Sequence, residues 1–192
     1  MKKSPMTLLA LLACILLFGG LITYLPASSA VVEEAAPPME KYINEEKGYS
    51  IEYPKDWQKQ EIPRLDIVLL SPTRNAESQT HANMNLVSEA VGEKVTLDQF
   101  YDESVKHLTA ELVDVKVEKT GDLNIHGIPS KWIQYKHRMI DNNFGVLQYF
   151  MVAEGNIYLI TFSGVTEDFE HFLTAFEKIA ASFKELPKAA KN

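Results

Sequence analysis

The stretch that decides the fold runs from residue 130 to residue 164 and contains the segments WIQY (132–135), VLQYFMV (146–152) and IYLITF (157–162). Short polar turns, DNN at 141–143 and EGN at 154–156, separate them. Such runs joined by short turns predict an antiparallel meander. The last two runs are apolar nearly throughout, which is typical of central strands covered on both faces.

Further strands are predicted before this meander. Residues 42–44 and 49–53 surround a turn, and Tyr49, Ile51 and Tyr53 alternate with polar residues. Residues 67–70 and 84–87 are short runs bounded by polar loops. β-Branched residues return at 113–125, with Val115 and Val117 on one face and a turn or bulge expected at Gly121-Asp122. Gly127-Ile128-Pro129 then interrupts the pattern again.

Two amphipathic helices complete the pattern. The first begins after Thr96, its expected N-cap, and has apolar residues at three- and four-residue steps through Leu112. The second begins at Thr166, again as a cap, with Glu167 and Asp168 in its first turn. Its apolar stripe contains Phe169, Phe172, Leu173, Phe176, Ile179, Ala180 and Phe183. The element order predicts an α+β fold, an α/β/α sandwich with a mainly antiparallel sheet and two main helices.

The N-terminal thirty residues are predicted to direct export. Lys2 and Lys3 precede an uncharged run from Leu8 to Leu25, and small residues follow it up to Ala30. This is typical of a signal peptide cleaved between Ala30 and Val31, although a run of 18 residues is also long enough to remain as a membrane anchor. A third interpretation is that Cys14 carries a lipid, which is disfavoured because the apolar helix continues after this cysteine. In each case the positive-inside rule places the remainder outside the cytoplasm.

The composition and charge of the chain exclude some classes of function. The chain has 192 residues, 46% hydrophobic and 23% charged, and its formal charge of −7 becomes −9 once residues 1–30 and their two lysines are removed. An acidic module gives no electrostatic reason to bind nucleic acid. We expect one domain at 41–187, after a leader at 1–30 and a linker at 31–40, with a tail at 188–192. The one cysteine, Cys14, excludes an intrachain disulfide.

No motif for a hydrolase, zinc protease, nucleotide enzyme or calcium loop occurs, so we predict no catalytic, cofactor or metal residues. The five histidines (His81, His107, His126, His137 and His171) are isolated in sequence. A metal site would require two or three of them to converge, for example His126 and His137 across strands, and surface or capping roles are the favoured interpretation. Glu103 and His107 are one helical turn apart and form the only acid–base pair to consider. Asp141-Asn142-Asn143 is expected to be a hairpin turn rather than a calcium site.

The segment Gly48–Trp57, with its Tyr-Pro-Lys-Asp-Trp ending, resembles the PsbP/Mog1-like superfamily. The resemblance covers residues 42–185 and includes the Thr96-Leu97 step, Gly127-Ile128-Pro129 with its hairpin, and the Phe-rich last helix. It implies an α/β/α sandwich in small proteins that act by binding, with the bacterial envelope branch as the nearest analogue. No shared active site comes with it.

Three functions follow from these observations. The leading one is a non-enzymatic extracytoplasmic protein that binds an envelope protein of unknown identity and touches the membrane only through an uncleaved leader. Trp57, at a strand exit, is the first candidate for a partner contact, ahead of Trp132, if these side chains are exposed; packing in the core is the commoner role of a tryptophan. A carrier of a small apolar ligand, suggested by the aromatic residues between 144 and 183, is the alternative, and a hydrolase is third. The oligomeric state stays open.

Overall fold

The structure is a computed structural model that describes residues 37–92 and 94–187. The predictions for the leader, for cleavage between Ala30 and Val31, for lipidation of Cys14, for most of the linker and for the tail lie outside these residues. Within the described ranges, every helix is too short or too polar to cross a bilayer.

Ten strands and two helices make up the described chain. In chain order they are β1 (Met39–Asn44), β2 (Tyr49–Pro54), β3 (Gln58–Gln60), β4 (Ile67–Leu70), β5 (Asn83–Ala90), α1 (Leu97–Glu111), β6 (Val113–Ile125), β7 (Ile128–Met139), β8 (Asn142–Ala153), β9 (Asn156–Val165), α2 (Thr166–Ala181) and β10 (Lys184–Glu185). Seven strands form one antiparallel sheet in the order β3-β4-β5-β9-β8-β7-β6, and β1-β2-β10 form a small second sheet.

The predicted meander is confirmed as β7, β8 and β9, paired in consecutive antiparallel order. Strands β8 and β9 lie inside the sheet and are buried almost throughout, as their apolar runs predicted. The turn between them places Glu154 at φ 50° and Gly155 at φ 76°. Two left-handed residues in a two-residue loop match the right-handed twist of the flanking strands.

Helix α2 covers one face of the large sheet. Phe169, Phe176 and Phe183 from its stripe are fully buried in a cluster that also contains Leu147 and Tyr149 of β8. The prediction that Thr166 caps this helix is wrong, because β9 runs directly into α2 and the N-cap is Val165. The Thr166 hydroxyl instead donates to the carbonyl oxygen of Asn143 at 3.1 Å. It therefore ties the helix start to β8.

Helix α1 covers the opposite face. Its inner residues Phe100 and Leu108 cluster with Val146 and Phe150, the β8 residues that alternate with those under α2. The predicted Thr96 cap is confirmed as a capping box: the Gln99 N–H donates to Thr96 Oγ1, and the Thr96 N–H donates to Gln99 Oε1. With a helix on each face of a mainly antiparallel sheet, the predicted fold class is confirmed.

Gly121 has a different role from the predicted turn or bulge. The register shifts in β6 lie between Val113 and Lys116 and between Val117 and Lys119, so Gly121 sits in regular strand opposite Trp132. A Cβ atom at Gly121 would lie 2.6 Å from the indole Nε1 of Trp132. The glycine therefore makes room for the indole ring.

The small sheet joins the first strands of the domain to its last one. Strands β3 and β10 were not predicted, and β10 pairs with β2, which is also hydrogen-bonded to β1. The Leu186 N–H donates to the Gly48 carbonyl at 2.8 Å, and Ser182 Oγ accepts from the Glu52 N–H at 2.8 Å. The last residues of the domain thus hold the first strands in place.

Candidate functional site

Trp57 is a core residue. It is 5% exposed, and its ring meets those of Phe172 and Phe176 edge-on at 5.8 and 6.0 Å. A turn after β2, closed by the Trp57 N–H to the Pro54 carbonyl at 3.0 Å, directs the chain back over the sheet. The rim position expected for Trp57 is wrong, and with it the reason for placing a partner contact there.

The acid–base pair considered from the sequence does not form. Glu103 and His107 are both partly exposed on α1, and no hydrogen bond or ion pair joins them among the described residues. Of the hairpin turn predicted at 141–143, Asp141 lies in the turn between β7 and β8, whereas Asn142 and Asn143 are the first residues of β8.

The histidines are scattered. His126 lies in the β6–β7 turn, whereas His137 is near the far end of β7, so about ten residues of extended strand, roughly 35 Å, separate them. Between residues 37 and 187, leaving out 93, no three potential metal ligands come together. His137 is buried with Nδ1 unpartnered, and burial lowers the pKa of its imidazole.

The aromatic residues between 144 and 183 pack against one another. The ring centroids of Phe162 and Phe176 are 4.8 Å apart, those of Tyr158 and Phe183 are 4.9 Å apart, and those of Phe169 and Phe176 are 5.6 Å apart. Contacts this close account for the aromatic density as core packing.

Exposed apolar side chains concentrate at one edge of the large sheet. Strand β6 is outermost, and Val113 and Val117 are 55% and 43% exposed; Ile140, in the adjacent β7–β8 turn, is 76% exposed. Val113 pairs with Arg138, two residues before Ile140, so Val113 and Ile140 lie at one corner of the sheet, whereas Val117 lies further along β6, opposite Tyr135. We call the outer side of Val113–Ile125 together with Ile140 the β6 edge. It holds three of the five exposed large hydrophobic residues in the described chain.

Some of the charged side chains at and beside the β6 edge form ion pairs. Arg138 contacts Asp114 at 2.8 Å, and Lys131 contacts Asp98 and Asp122 at 3.1 and 2.9 Å. Hydrogen bonds to these two carboxylates raise the pKa of Lys131, so this lysine stays charged at neutral pH.

Strand β6 itself carries Lys116 and Lys119, which form no ion pair with any described residue. They flank the second bulge, and beyond it the strand from Lys119 to Ile125 pairs with β7 in regular register. Because β6 pairs only with β7, the outward backbone groups of this segment have no strand partner in the described chain.

A second feature lies on the face of the sheet that carries α1. Asn85 of β5, Thr161 of β9 and Gln148 of β8 are directly opposite one another across the central strands, and Asn83 faces Ser163 in the next position. All five side chains are buried. We call Asn85, Thr161 and Gln148 the polar row. Gln148 Nε2 donates to Thr161 Oγ1 at 3.1 Å, whereas Asn85 Oδ1 is buried without a partner.

Sequence reasoning missed both features. The outermost position of β6 depends on strand order, which local patterns do not encode. The polar row was visible in part, because Asn83 and Asn85 alternate with Met84 and Leu86, and period-two alternation puts the asparagines on the opposite face from the apolar residues. What the pattern could not reveal was that this second face is buried as well.

Solved structures with this fold come from distant organisms. The cyanobacterial PsbP protein CyanoP from Synechocystis sp. PCC 6803 is 16% identical with a TM-score of 0.58, over 82% of this chain and 98% of its own. LpqN, involved in cell envelope biogenesis of Mycobacterium tuberculosis, is 10% identical with a TM-score of 0.59, over 78% and 86%. The Saccharomyces cerevisiae Ran-binding protein Mog1p is 10% identical with a TM-score of 0.54, over 78% and 96%.

At these identities the structural matches show a common fold alone. No curated protein sequence matches the chain. The family model described as PsbP-like protein, however, matches residues 12–185, which is most of the sequence. The chain therefore belongs to the PsbP-like protein family.

Proposed function

We propose that the protein is an exported, non-enzymatic binding protein of the bacterial cell envelope that contacts a partner protein through the β6 edge. The observation that carries the proposal is the exposure of Val113 and Val117 on an outer strand with one free edge and of Ile140 in the adjacent turn. Single exposed apolar residues are ordinary, but a group of them beside free backbone groups is typical of an interaction surface.

The backbone of β6 supports pairing with an extended segment of the partner. Strand addition uses the outward N–H and C=O groups, and the regular stretch from Lys119 to Ile125 offers them without interruption. The two bulges at the other end of β6 limit indiscriminate pairing. The unpaired Lys116 and Lys119 favour a partner segment that carries acidic residues.

The cellular location of the protein is inferred from its N-terminal leader. Its basic start, apolar run and small residues support export. The fold neighbour LpqN is described as involved in cell envelope biogenesis, which is consistent with the same compartment. N-terminal sequencing of protein recovered from fractionated cells tests this: export predicts a chain beginning at Val31 or an intact chain in the membrane fraction, and an intact chain in the cytoplasm contradicts it.

The non-enzymatic part of the proposal rests on the family match, since the PsbP-like description brings no enzyme activity with it. The carrier of an apolar ligand has no comparable support, because the aromatic residues that suggested it are in contact with each other.

In-cell crosslinking of the tagged full-length protein, followed by mass spectrometry, tests the binding surface. The double variant Val113→Lys/Val117→Lys is expected to lower the recovery of a specific envelope partner by about tenfold, the equivalent of about 1.4 kcal/mol of binding. Ile43→Lys is the matched control, because Ile43 is equally exposed (49%) but lies on β1 in the small sheet.

Circular dichroism establishes that all three proteins are folded. Capture that survives in the β6 variant, or that is lost equally in the Ile43 variant, would contradict the assignment of the surface. Absence of any specific envelope partner for the wild-type chain would overturn the proposed function itself.

A further inference from the structure

The indole of Trp132 lies where Gly121 would carry a side chain. The two residues face each other across β7 and β6, and the indole Nε1 and Cε2 atoms lie 2.6 and 2.9 Å from the position that a Cβ atom would take at Gly121. The nitrogen-bearing side of the ring therefore reaches over the outermost strand of the sheet, while the ring is partly buried against the cluster that contains Phe176. No described residue accepts a hydrogen bond from Nε1.

The β6 edge is open to solvent at this point. Gly121 is half-exposed, and the residues beside it, Lys119, Thr120 and Asp122, are exposed. The register of β6 and β7 places Lys119 on the same face of the sheet as Gly121 and Trp132, and Asp122 on the opposite face. We call Trp132 Nε1 above Gly121, together with the Lys119 ammonium group, the indole site.

The charge on this face of the β6 edge is positive. Lys116 and Lys119 form no ion pair with any described residue, whereas Glu118 pairs with Lys136 at 3.4 Å and Lys136 with Glu170 at 3.1 Å. Three lysines thus stand against two glutamates, in a chain whose formal charge is −7. A positive surface on an acidic protein favours a partner group of negative charge.

A strand added to β6 would bring one side chain to the indole site. Directly opposite residues of neighbouring strands have Cβ atoms about 5 Å apart, and diagonal neighbours lie about 7–8 Å apart. The side chain opposite Gly121 therefore begins about 5 Å from a point that is 2.6 Å from Nε1. One or two methylene groups carry a carboxylate across this distance, and the long side chain of Lys119 reaches the same carboxylate from the diagonal position.

We propose that the β6 edge recognises an extended partner segment by a carboxylate side chain opposite Gly121, which accepts a hydrogen bond from Trp132 Nε1 and pairs with Lys119. This inference rests on the proposed function and specifies the chemistry of the partner. A carboxylate is favoured over a neutral acceptor because a charge-assisted hydrogen bond is roughly twice as strong as a neutral one.

The probe is the capped peptide acetyl-Thr-Val-Glu-Val-Thr-amide, in which glutamate is the only charged residue, and the matched control peptide carries glutamine in its place. In the ¹⁵N-labelled full-length chain, the glutamate peptide should shift the indole N–H resonance of Trp132 downfield and saturably. The glutamine peptide should bind about tenfold more weakly, because it offers only a neutral acceptor. The indole resonance of the buried Trp57 should not move.

Two variants separate the parts of the indole site. Trp132→Phe keeps an aromatic ring but removes the N–H, so it identifies the resonance, and the preference for glutamate, followed through the backbone N–H resonances of β6, should fall to about threefold. Lys119→Gln should also lower the preference to about threefold, since an exposed ion pair contributes modestly. Lys106→Gln, which removes the same charge from an exposed lysine of α1, is the control and should leave the preference unchanged.

The inference is overturned if the two peptides shift the Trp132 resonance equally, if neither shifts it saturably, or if the tenfold preference survives in both Trp132→Phe and Lys119→Gln. Partner capture in cells, tested through Val113 and Val117, can succeed in each of these cases. Failure of the indole site is therefore distinguishable from failure of the proposed function.

Discussion

Replacing Arg74 by alanine tests how the loop between β4 and β5 is held against helix α2. Asp168, in the first turn of α2, is fully buried and accepts a hydrogen bond from Arg74 Nε at 3.0 Å. The hydroxyl of Thr80, in the same loop, also donates to this carboxylate. Arg74→Ala would leave the Asp168 charge in the protein without its cation.

The expected loss of stability depends on how deeply each member of the Arg74–Asp168 ion pair is buried. Removing one member of a fully buried ion pair costs about 3–5 kcal/mol. Arg74 is 33% exposed, so water can replace part of the guanidinium, while Thr80 and the positive end of α2 continue to stabilise the carboxylate. We therefore expect Arg74→Ala to lower the free energy of unfolding by about 2 kcal/mol, or the Tm by about 4–8 °C.

Urea unfolding at pH 7, followed through the fluorescence of the buried Trp57, measures this change. Arg138→Ala is the matched control, since it breaks the exposed pair with Asp114 and should cost no more than about 1 kcal/mol. If the two variants differ by less than about 0.5 kcal/mol, the loop is not held through Asp168 and the reasoning fails.

Three other predictions concern single residues. Trp57→Ala should destabilise the domain by about 3–5 kcal/mol in urea, because the indole fills the core; a loss below about 1 kcal/mol would contradict its burial. Gly145→Ala should cost about 1–3 kcal/mol by thermal melting, since a Cβ there would lie 2.4 Å from the ring of Phe169, and an unchanged Tm would show that the ring moves freely. Because burial lowers the pKa of His137, the unfolded chain takes up the proton first as pH falls below about 6.5, and stability decreases. The decrease between pH 7.5 and 5.5 should be smaller in His137→Gln and unchanged in a His126→Gln control, as measured by urea unfolding.

The parts of the fold that sequence reasoning predicted are those encoded by local pattern. The apolar runs of β8 and β9 identified central strands, and Thr96 marked the start of α1, to which the structure adds the reciprocal bond from Gln99. Thr166 suggested a cap in the same way as Thr96. A threonine caps a helix from the N-cap position, and here Val165 at the end of β9 holds that position while Thr166 is already helical.

Other parts depend on packing between distant segments. Strand β10 is two residues long and exists because β2 is beside it, so no periodicity could identify it. Trp57 follows a strand exit, a position compatible with either surface or core, and only the placement of α2 decides between them. The β6 edge likewise follows from strand order, which the chain settles through its whole core.

The contacts between the two ends of the domain also set the order in which it can be completed. Gly48 is bonded to Leu186, and Glu52 to Ser182, 130 residues away in the sequence. A chain made from its N-terminus therefore carries β2 without its second neighbour until Lys184 and Glu185 have been synthesised. Loop closure over so long a distance is slow. The small sheet is therefore completed only after Ser182 and Leu186 have been made, later than the strands of the large sheet.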